Sequence, residues 1–130
     1  MTYTLSLEGR SNCTGVGKVI SAFADSETRK RLLDTCSFAR KSPNTITDRQ
    51  EYERVLEKVR QQGYAVNVGE NEEYLKCITY PIFDAKHEIM AALSLTGVIQ
   101  CFNQELDDSC HKALRRVTAQ VSQEFGAGIV

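Results

Sequence analysis

The spacing of apolar residues changes along the chain, and each spacing predicts an element. Apolar and polar residues alternate at Thr2–Leu7, which predicts a strand. A loop of small residues is predicted at Gly9–Gly17, and Thr14 within it is placed to cap a helix. The apolar stripe of that helix is Val16, Val19, Ile20 and Phe23. A second, short helix is predicted to begin at Asp25 or Ser26.

The middle of the chain carries the clearest helical pattern. The helix is predicted from about Asp48 to Gln62, and Gly63 is placed to end it. Tyr64–Val66 follows as a short predicted strand, and Val68–Glu73 as an acidic loop.

The next segment predicts a hairpin followed by a helix. Two runs of β-forming residues, Tyr74–Phe83 and Glu88–Gly97, flank a tight turn at Asp84–His87. Apolar positions from Leu106 to Val121 then predict a last amphipathic helix. This order favours an α/β (α+β) fold, in which helices pack on one face of an antiparallel sheet and a ligand pocket forms on the other.

The turn also predicts which hairpin residues share a face. If Asp84 pairs with His87, Cys77 lies opposite Ser94 and Leu75 lies opposite Thr96. One face then presents Leu75, Cys77, Thr79, Ala92, Ser94 and Thr96, which are small or polar. The other presents Lys76, Ile78, Tyr80, Ile82, Ile89, Ala91, Leu93 and Leu95, which are mostly bulky. The small face is typical of a small-molecule pocket, although an ordinary solvent face has the same spacing.

Composition limits the class of protein. The 130 residues fit one domain, 1–130, and the formal net charge of −1 argues against DNA or RNA binding by this chain alone. No apolar run approaches about 20 residues and no secretion signal is present, so we expect no membrane partner and a cytoplasmic location. The five cysteines are odd in number and no pair has CxxC spacing, which favours reduced thiols. We expect no metal site and no cofactor.

Several segments together resemble the IclR family of bacterial transcription regulators. They are Gln62–Asn67, Glu70, Leu75–Asp84, Ala91–Gly97 and Gly17-Lys18-Val19. The resemblance implies a GAF-like effector-binding domain of a repressor-type regulator, which takes a 2-oxo acid or sugar acid. It also implies a homo-oligomer, dimer or tetramer, that contacts DNA through an N-terminal winged helix-turn-helix domain. This chain is expected to lack that domain and the opening of the sensing domain.

The resemblance also assigns ligand-binding residues. Gly15 and Val16 match the helix start whose backbone N–H groups face the ligand, and Cys77, Ser94 and Thr96 match pocket positions. The expected site is completed by Asn67, where the family often has Asp, and by Glu70 from the acidic loop. No residue is expected to be catalytic. The loop before Thr14 is shorter than in the family, and Tyr74 stands where Gly is usual.

Other interpretations remain open from the residues. Gly15-Val16-Gly17-Lys18 lacks the spacing of a phosphate-binding P-loop, so we interpret Lys18 as a surface or edge cation. Cys77 could serve a small enzyme as a nucleophile, although neither histidine is placed to activate it. A third hypothesis is a dimerisation module whose pocket is closed, with Tyr74 as a candidate for the closing residue. His111 is interpreted as structural.

Overall fold

Four α-helices and three strands are formed within residues 14–126, the part of the chain that the computed structural model describes. Their order is α1 (Gly15–Phe23), α2 (Ser26–Thr35), α3 (Arg49–Gln62), β1 (Ala65–Val68), β2 (Leu75–Phe83), β3 (Ile89–Val98) and α4 (Gln104–Glu124). The three strands form an antiparallel sheet in the order β1-β2-β3. The predicted mixed α/β class is therefore confirmed, whereas the strand predicted at Thr2–Leu7 lies outside the described residues.

The ends of the first three helices follow from capping residues. The side chains of Thr14, Asp25 and Asp48 each accept a hydrogen bond from the backbone N–H three residues further on. Gly63 ends α3 at φ 92°, in the left-handed region that glycine enters without strain. One boundary differs from the prediction: α1 begins at Gly15, because the cap at Thr14 starts the helix inside the predicted loop.

The register of the hairpin differs by two residues from the predicted one. Cys77 lies opposite Thr96, and Thr79 lies opposite Ser94. The predicted pairing of Cys77 with Ser94 is therefore wrong, as is that of Leu75 with Thr96.

Two one-residue departures near the turn add up to this shift. The backbone N–H of Asp84 donates to the carbonyl of Glu88 at 3.0 Å, so the loop is one residue longer than predicted, with His87 at φ 59°. Met90 then bulges out of the paired register. Since side chains alternate with a period of two, residues beyond the bulge keep their predicted face. Ile89 precedes the bulge in β3, and it packs on the opposite side from the one predicted.

Helices cover both faces of the sheet, where the sequence predicted only one covered face. α4 lies on the bulky face, where Leu114 packs with Ile78 and Tyr80. α1 lies on the small face, because Gly15 and the small side chains below it allow a close approach. A Cβ at Gly15 would stand only 2.3 Å from Thr79 Oγ1.

The larger core joins α1, α2 and α3 behind the small face. Its fully buried members are Val19, Ala22, Leu33, Tyr52, Leu56, Val59 and Ala65. Burial of these apolar side chains holds α1 in place, since each large apolar side chain removed from water contributes about 1.5–3 kcal/mol. The first turn of α1 is thereby fixed above the middle of β2 and β3.

Candidate functional site

Three of the predicted site residues meet on the small face of the hairpin. Ser94 Oγ lies 2.8 Å from Thr79 Oγ1 and within hydrogen-bond distance of Cys77 Sγ. Thr96 Oγ1 donates to Cys77 Sγ at 3.5 Å. We call Cys77, Thr79, Ser94 and Thr96 the polar cluster. The structure thus brings Cys77, Ser94 and Thr96 together as predicted, in spite of the shifted register.

The first turn of α1 lies directly against the polar cluster. The Cβ that would meet Thr79 Oγ1 at Gly15 would also be 3.2 Å from Cys77 Sγ, and because of the Thr79 contact only glycine fits at this position without displacement. The first N–H groups of a helix have no partner within the helix. Thr14 Oγ1 accepts the N–H of Gly17 at 3.0 Å, which leaves the N–H groups of Gly15 and Val16 unbonded among residues 14–126. These two donors and the positive end of the helix dipole suit a carboxylate.

The polar cluster is covered by the first turn of α1, whereas the sequence predicted an open ligand pocket on this face. Thr79 is fully buried, and Cys77 and Ser94 are each 8% exposed. The hydroxyl and thiol groups satisfy one another, and Gly15 touches them from above. Thr96 at the edge of the cluster is half-buried.

Asn67 and Glu70 occupy different places around this cluster. Asn67 is buried and lies opposite Cys77 in the β1–β2 ladder, next to the cluster. Glu70 follows the end of β1, and its Oε2 accepts a 2.6 Å ion-pair hydrogen bond from Lys18 Nζ. The interpretation of Lys18 as a surface cation is wrong: the side chain is 2% exposed, because it lies on the inward face of α1, one turn after Gly15.

A second loop holds the backbone that carries Glu70. The hydroxyls of Ser42 and Thr45 donate to the carbonyl oxygens of Gly69 and Glu70, respectively. Gly69 adopts φ 64°, and a Cβ there would stand 2.8 Å from the Glu73 carbonyl oxygen. The carboxylate of Glu70 is therefore presented to Lys18 by a tightly fixed turn.

Two contacts considered in the open interpretations are not formed. Tyr74 is 70% exposed, so its ring is not the group that covers the site. His111 cannot serve Cys77, because its Nδ1 lies 2.7 Å from the hydroxyl of Tyr80, which faces α4 on the other side of the sheet. Cys77 instead lies among hydroxyl groups.

The α4 side carries its own polar contacts. Lys76 Nζ donates to both carboxylate oxygens of Asp107 at 2.8 Å. The rings of Tyr64 and Tyr80 stack at 5.2 Å, and Tyr64 meets His111 edge to face at 4.6 Å. Burial lowers the pKa of His111 below its ordinary value, and burial also raises the pKa of Tyr80. These contacts fasten α4 to the sheet.

Sequence reasoning missed two members of the site. Thr79 belongs to the small face that the alternation predicted, but it was not assigned to the site. Lys18 is three residues after Gly15, and this helical spacing would have placed it on the inward face. Its partner Glu70 is 52 residues away, and no local pattern reveals such a pairing.

No helix within residues 14–126 combines the length and the apolar character needed to cross a membrane.

Comparison with known proteins gives a consistent family assignment. The model of the bacterial transcriptional regulator IclR C-terminal domain matches residues 4–123. The HTH-type transcriptional regulator KdgR of Escherichia coli is 35% identical over 120 residues, which are 87% of this chain and 46% of that protein. The chain thus spans about half the length of this curated relative.

Solved structures agree with the sequence match. The crystal structure of Thermotoga maritima IclR superposes with a TM-score of 0.83 at 34% identity, over 89% of this chain and 47% of that one. A double mutant of the inducer-binding domain of the Acinetobacter transcription factor PobR, in complex with 3-hydroxybenzoic acid, gives a TM-score of 0.80 at 26% identity, over 86% and 66% of the two chains. From the family model, the curated relative and the shared fold together, this chain belongs to the IclR family of bacterial transcriptional regulators and corresponds to its C-terminal domain.

Proposed function

We propose that this chain binds a small carboxylate effector at the start of α1, beside the polar cluster. The observation that carries the proposal is the contact of Gly15 with Cys77 and Thr79. This contact places the N–H groups of Gly15 and Val16, which are unbonded within residues 14–126, next to hydroxyl donors and acceptors. The N–H groups bind the carboxylate, while Ser94, Thr96 and Asn67 orient the remainder.

The covered state of the polar cluster fits a sensor that closes around its ligand. A site that needs a small opening movement converts binding energy into a population shift between two states. In support, the double mutant of the PobR inducer-binding domain forms a complex with 3-hydroxybenzoic acid, a molecule that carries a carboxyl group. The effector of this chain falls, in our proposal, within the 2-oxo acids and sugar acids.

In the longer regulator, effector binding controls DNA contact. The sensing domain, residues 1–130, follows a winged helix-turn-helix domain and works in the cytoplasm within a dimer or tetramer that represses its target genes. Binding in the sensing domain then changes how the DNA-binding domains are arranged. The domain itself performs no catalysis, in keeping with relatives that are named as regulators.

Thermal unfolding with a panel of acids tests this proposal. Pyruvate, glyoxylate, D-gluconate and D-galacturonate are each added at increasing concentration. A binder raises the melting temperature in proportion to RT ln(1 + [L]/Kd), about 2.7 kcal/mol of stabilisation at 100 times Kd. A panel that leaves the melting temperature unchanged at millimolar concentrations contradicts the proposal.

A pair of matched variants locates the site. Thr96→Val removes a hydroxyl of the polar cluster, and Thr118→Val removes a buried hydroxyl on α4, which bonds to the carbonyl of Leu114. We expect Thr96→Val to weaken binding of the active acid about tenfold, since one hydrogen bond to a charged or polar group contributes about 1–2 kcal/mol. Thr118→Val keeps the wild-type affinity. Equal losses in both variants would assign the effect to stability instead of contact.

A further inference from the structure

The ion pair between Lys18 and Glu70 has hydrogen-bonding groups that the described residues do not use. Lys18 has three ammonium hydrogens, and among residues 14–126 its only acceptor is Glu70 Oε2, at 2.6 Å. Glu70 Oε1 is buried and has no hydrogen-bond partner within the described part of the chain. Ser21, one further turn along α1, is fully buried, and the same residues offer its Oγ no partner either. Three donors and acceptors are thus held out of solvent on one side of α1.

Buried polar groups without hydrogen-bond partners lower the stability of a folded protein, so their presence beside α1 needs an explanation. A buried donor or acceptor without a partner loses its hydration and gains nothing in return. The ion pair itself repays desolvation only when the remaining hydrogens and lone pairs are satisfied. The contrast with the ion pair on the α4 side is direct: Lys76 bonds both carboxylate oxygens of Asp107, and both side chains reach solvent.

The position of the pair relates it to the proposed effector site. Lys18 lies one helical turn after Gly15, about 5 Å along and on the same side of α1. Glu70 lies three residues beyond Asn67, which pairs with Cys77 in the sheet. The pair is therefore the next polar feature beyond the polar cluster, at the end where β1 meets its loop.

We propose that Lys18 and Glu70 form a hydroxyl-binding subsite, so that the effector is a hydroxylated carboxylic acid. A hydroxyl group suits the pair, because it accepts from the ammonium of Lys18 and donates to Oε1 of Glu70 at the same time. The effector carboxylate lies at the N–H groups of Gly15 and Val16, and its hydroxyl-bearing carbons extend along α1 toward the ion pair. This inference rests on the proposed carboxylate site and adds the specificity for hydroxyl groups.

The turn that carries Glu70 is built to hold this subsite in place. Ser42 and Thr45 fix the carbonyls of Gly69 and Glu70, so the carboxylate is positioned before any ligand arrives. A preorganised pair of charges binds a hydroxyl without an ordering cost. An acid without hydroxyl groups would bury the same ion pair without bonding the remaining hydrogens of Lys18 or Oε1 of Glu70. This cost opposes its binding.

Two six-carbon acids that differ only in hydroxyl groups provide the test. D-gluconate and hexanoate are titrated against the whole chain by calorimetry. We expect gluconate to bind at least about tenfold more tightly, since hydrogen bonds to charged groups are among the stronger ones. If neither acid binds but an acid of the thermal unfolding panel does, the carboxylate site stands and the hydroxyl subsite is refuted. If no acid of either set binds, the proposed function fails and the subsite falls with it. If both bind with the same affinity, the carboxylate site stands and the hydroxyl subsite is refuted.

Variants assign the preference to the pair. Glu70→Gln keeps the shape but removes the charge, and the double variant Lys18→Met with Glu70→Met replaces the pair by apolar groups that preserve folding. In both variants we expect the ratio of the two dissociation constants to fall to within about twofold of unity. Lys76→Met removes the ion pair on the α4 side and keeps the wild-type ratio. A ratio that persists in the double variant overturns the inference, whatever the change in melting temperature.

Discussion

The two faces of the β2–β3 hairpin differ in how completely their polar groups are satisfied. On the α4 face, Ile78 and Leu114 form an apolar contact, and the Lys76–Asp107 pair uses both carboxylate oxygens. On the α1 face, small hydroxyl-bearing side chains lie beneath the helix start, and the Lys18–Glu70 pair leaves one carboxylate oxygen without a partner among the residues that the structure describes. Stability alone favours the first arrangement. The second is typical of a surface that has a further partner to bind.

The largest expected effect concerns the α4 face. Leu114→Ala removes a side chain that is 2% exposed against Ile78 and Tyr80, and we expect a loss of about 2–5 kcal/mol in the free energy of unfolding. Urea unfolding measures the loss. Leu93→Ala, at a site 37% exposed on the same face, serves as control and costs well under about 1 kcal/mol. The folded fraction of Leu114→Ala keeps its effector affinity. A loss of affinity would contradict the assignment of effector binding to the α1 face alone.

Two glycines offer a matched comparison of close contacts. Gly15→Ala places a Cβ 2.3 Å from Thr79 Oγ1, and we expect a loss of about 1–3 kcal/mol together with loss of effector binding. Gly97→Ala places a Cβ 2.9 Å from the ring of Phe102, on the face of Lys76. That ring turns aside more easily, so the loss is smaller and binding is kept. Urea unfolding measures the stability of both variants, and calorimetry measures their effector binding. Retained binding in Gly15→Ala contradicts the proposed site.

Tyr80→Phe tests the polar contact on the α4 side. The change removes the hydroxyl that lies 2.7 Å from His111 Nδ1 and keeps the stacked ring. We expect a cost of about 1 kcal/mol in unfolding free energy, since the half-buried imidazole nitrogen loses its partner. Effector affinity stays at the wild-type value. A double-mutant cycle with His111→Gln measures the coupling, and an additive result would exclude the hydrogen bond as its source.

The smallest effect is a pH dependence from the same histidine. Burial lowers the pKa of His111 in the folded state, so the neutral ring is favoured there. The unfolded chain then binds more protons. The stability contribution is complete above the ordinary histidine pKa of about 6.5 and is lost as pH falls through the lower folded value.

The charges around His111 act in both directions. Asp107 and Asp108 raise its pKa, whereas Arg115 and Lys76 lower it further. Urea unfolding between pH 8 and pH 5 compares the wild type with His111→Gln. We expect the wild type to lose stability relative to the variant as pH falls. Parallel curves would show that the histidine pKa is the same in the folded and unfolded chain.

Local patterns predicted the elements because local physics decides them. The caps at Asp25 and Asp48 and the left-handed Gly63 require only residues within one turn. The membership of the polar cluster followed from strand alternation. The register did not, because a left-handed His87 and the bulge at Met90 are not encoded by glycine or proline signals. The Lys18–Glu70 pair was also beyond reach, since it joins residues brought together only by the tertiary fold.

The loop extension and the bulge near Met90 have a consequence for how this hairpin tolerates insertions and deletions. Either irregularity alone would shift the register by one residue and turn the hydroxyl-bearing side chains of β3 toward α4. The two together shift it by two residues, so these side chains stay on the α1 face. Insertions or deletions of two residues in this turn should therefore leave each β3 side chain on its present face of the sheet. A single deletion should exchange the two faces of β3, and Leu93 and Leu95 would then point toward Gly15.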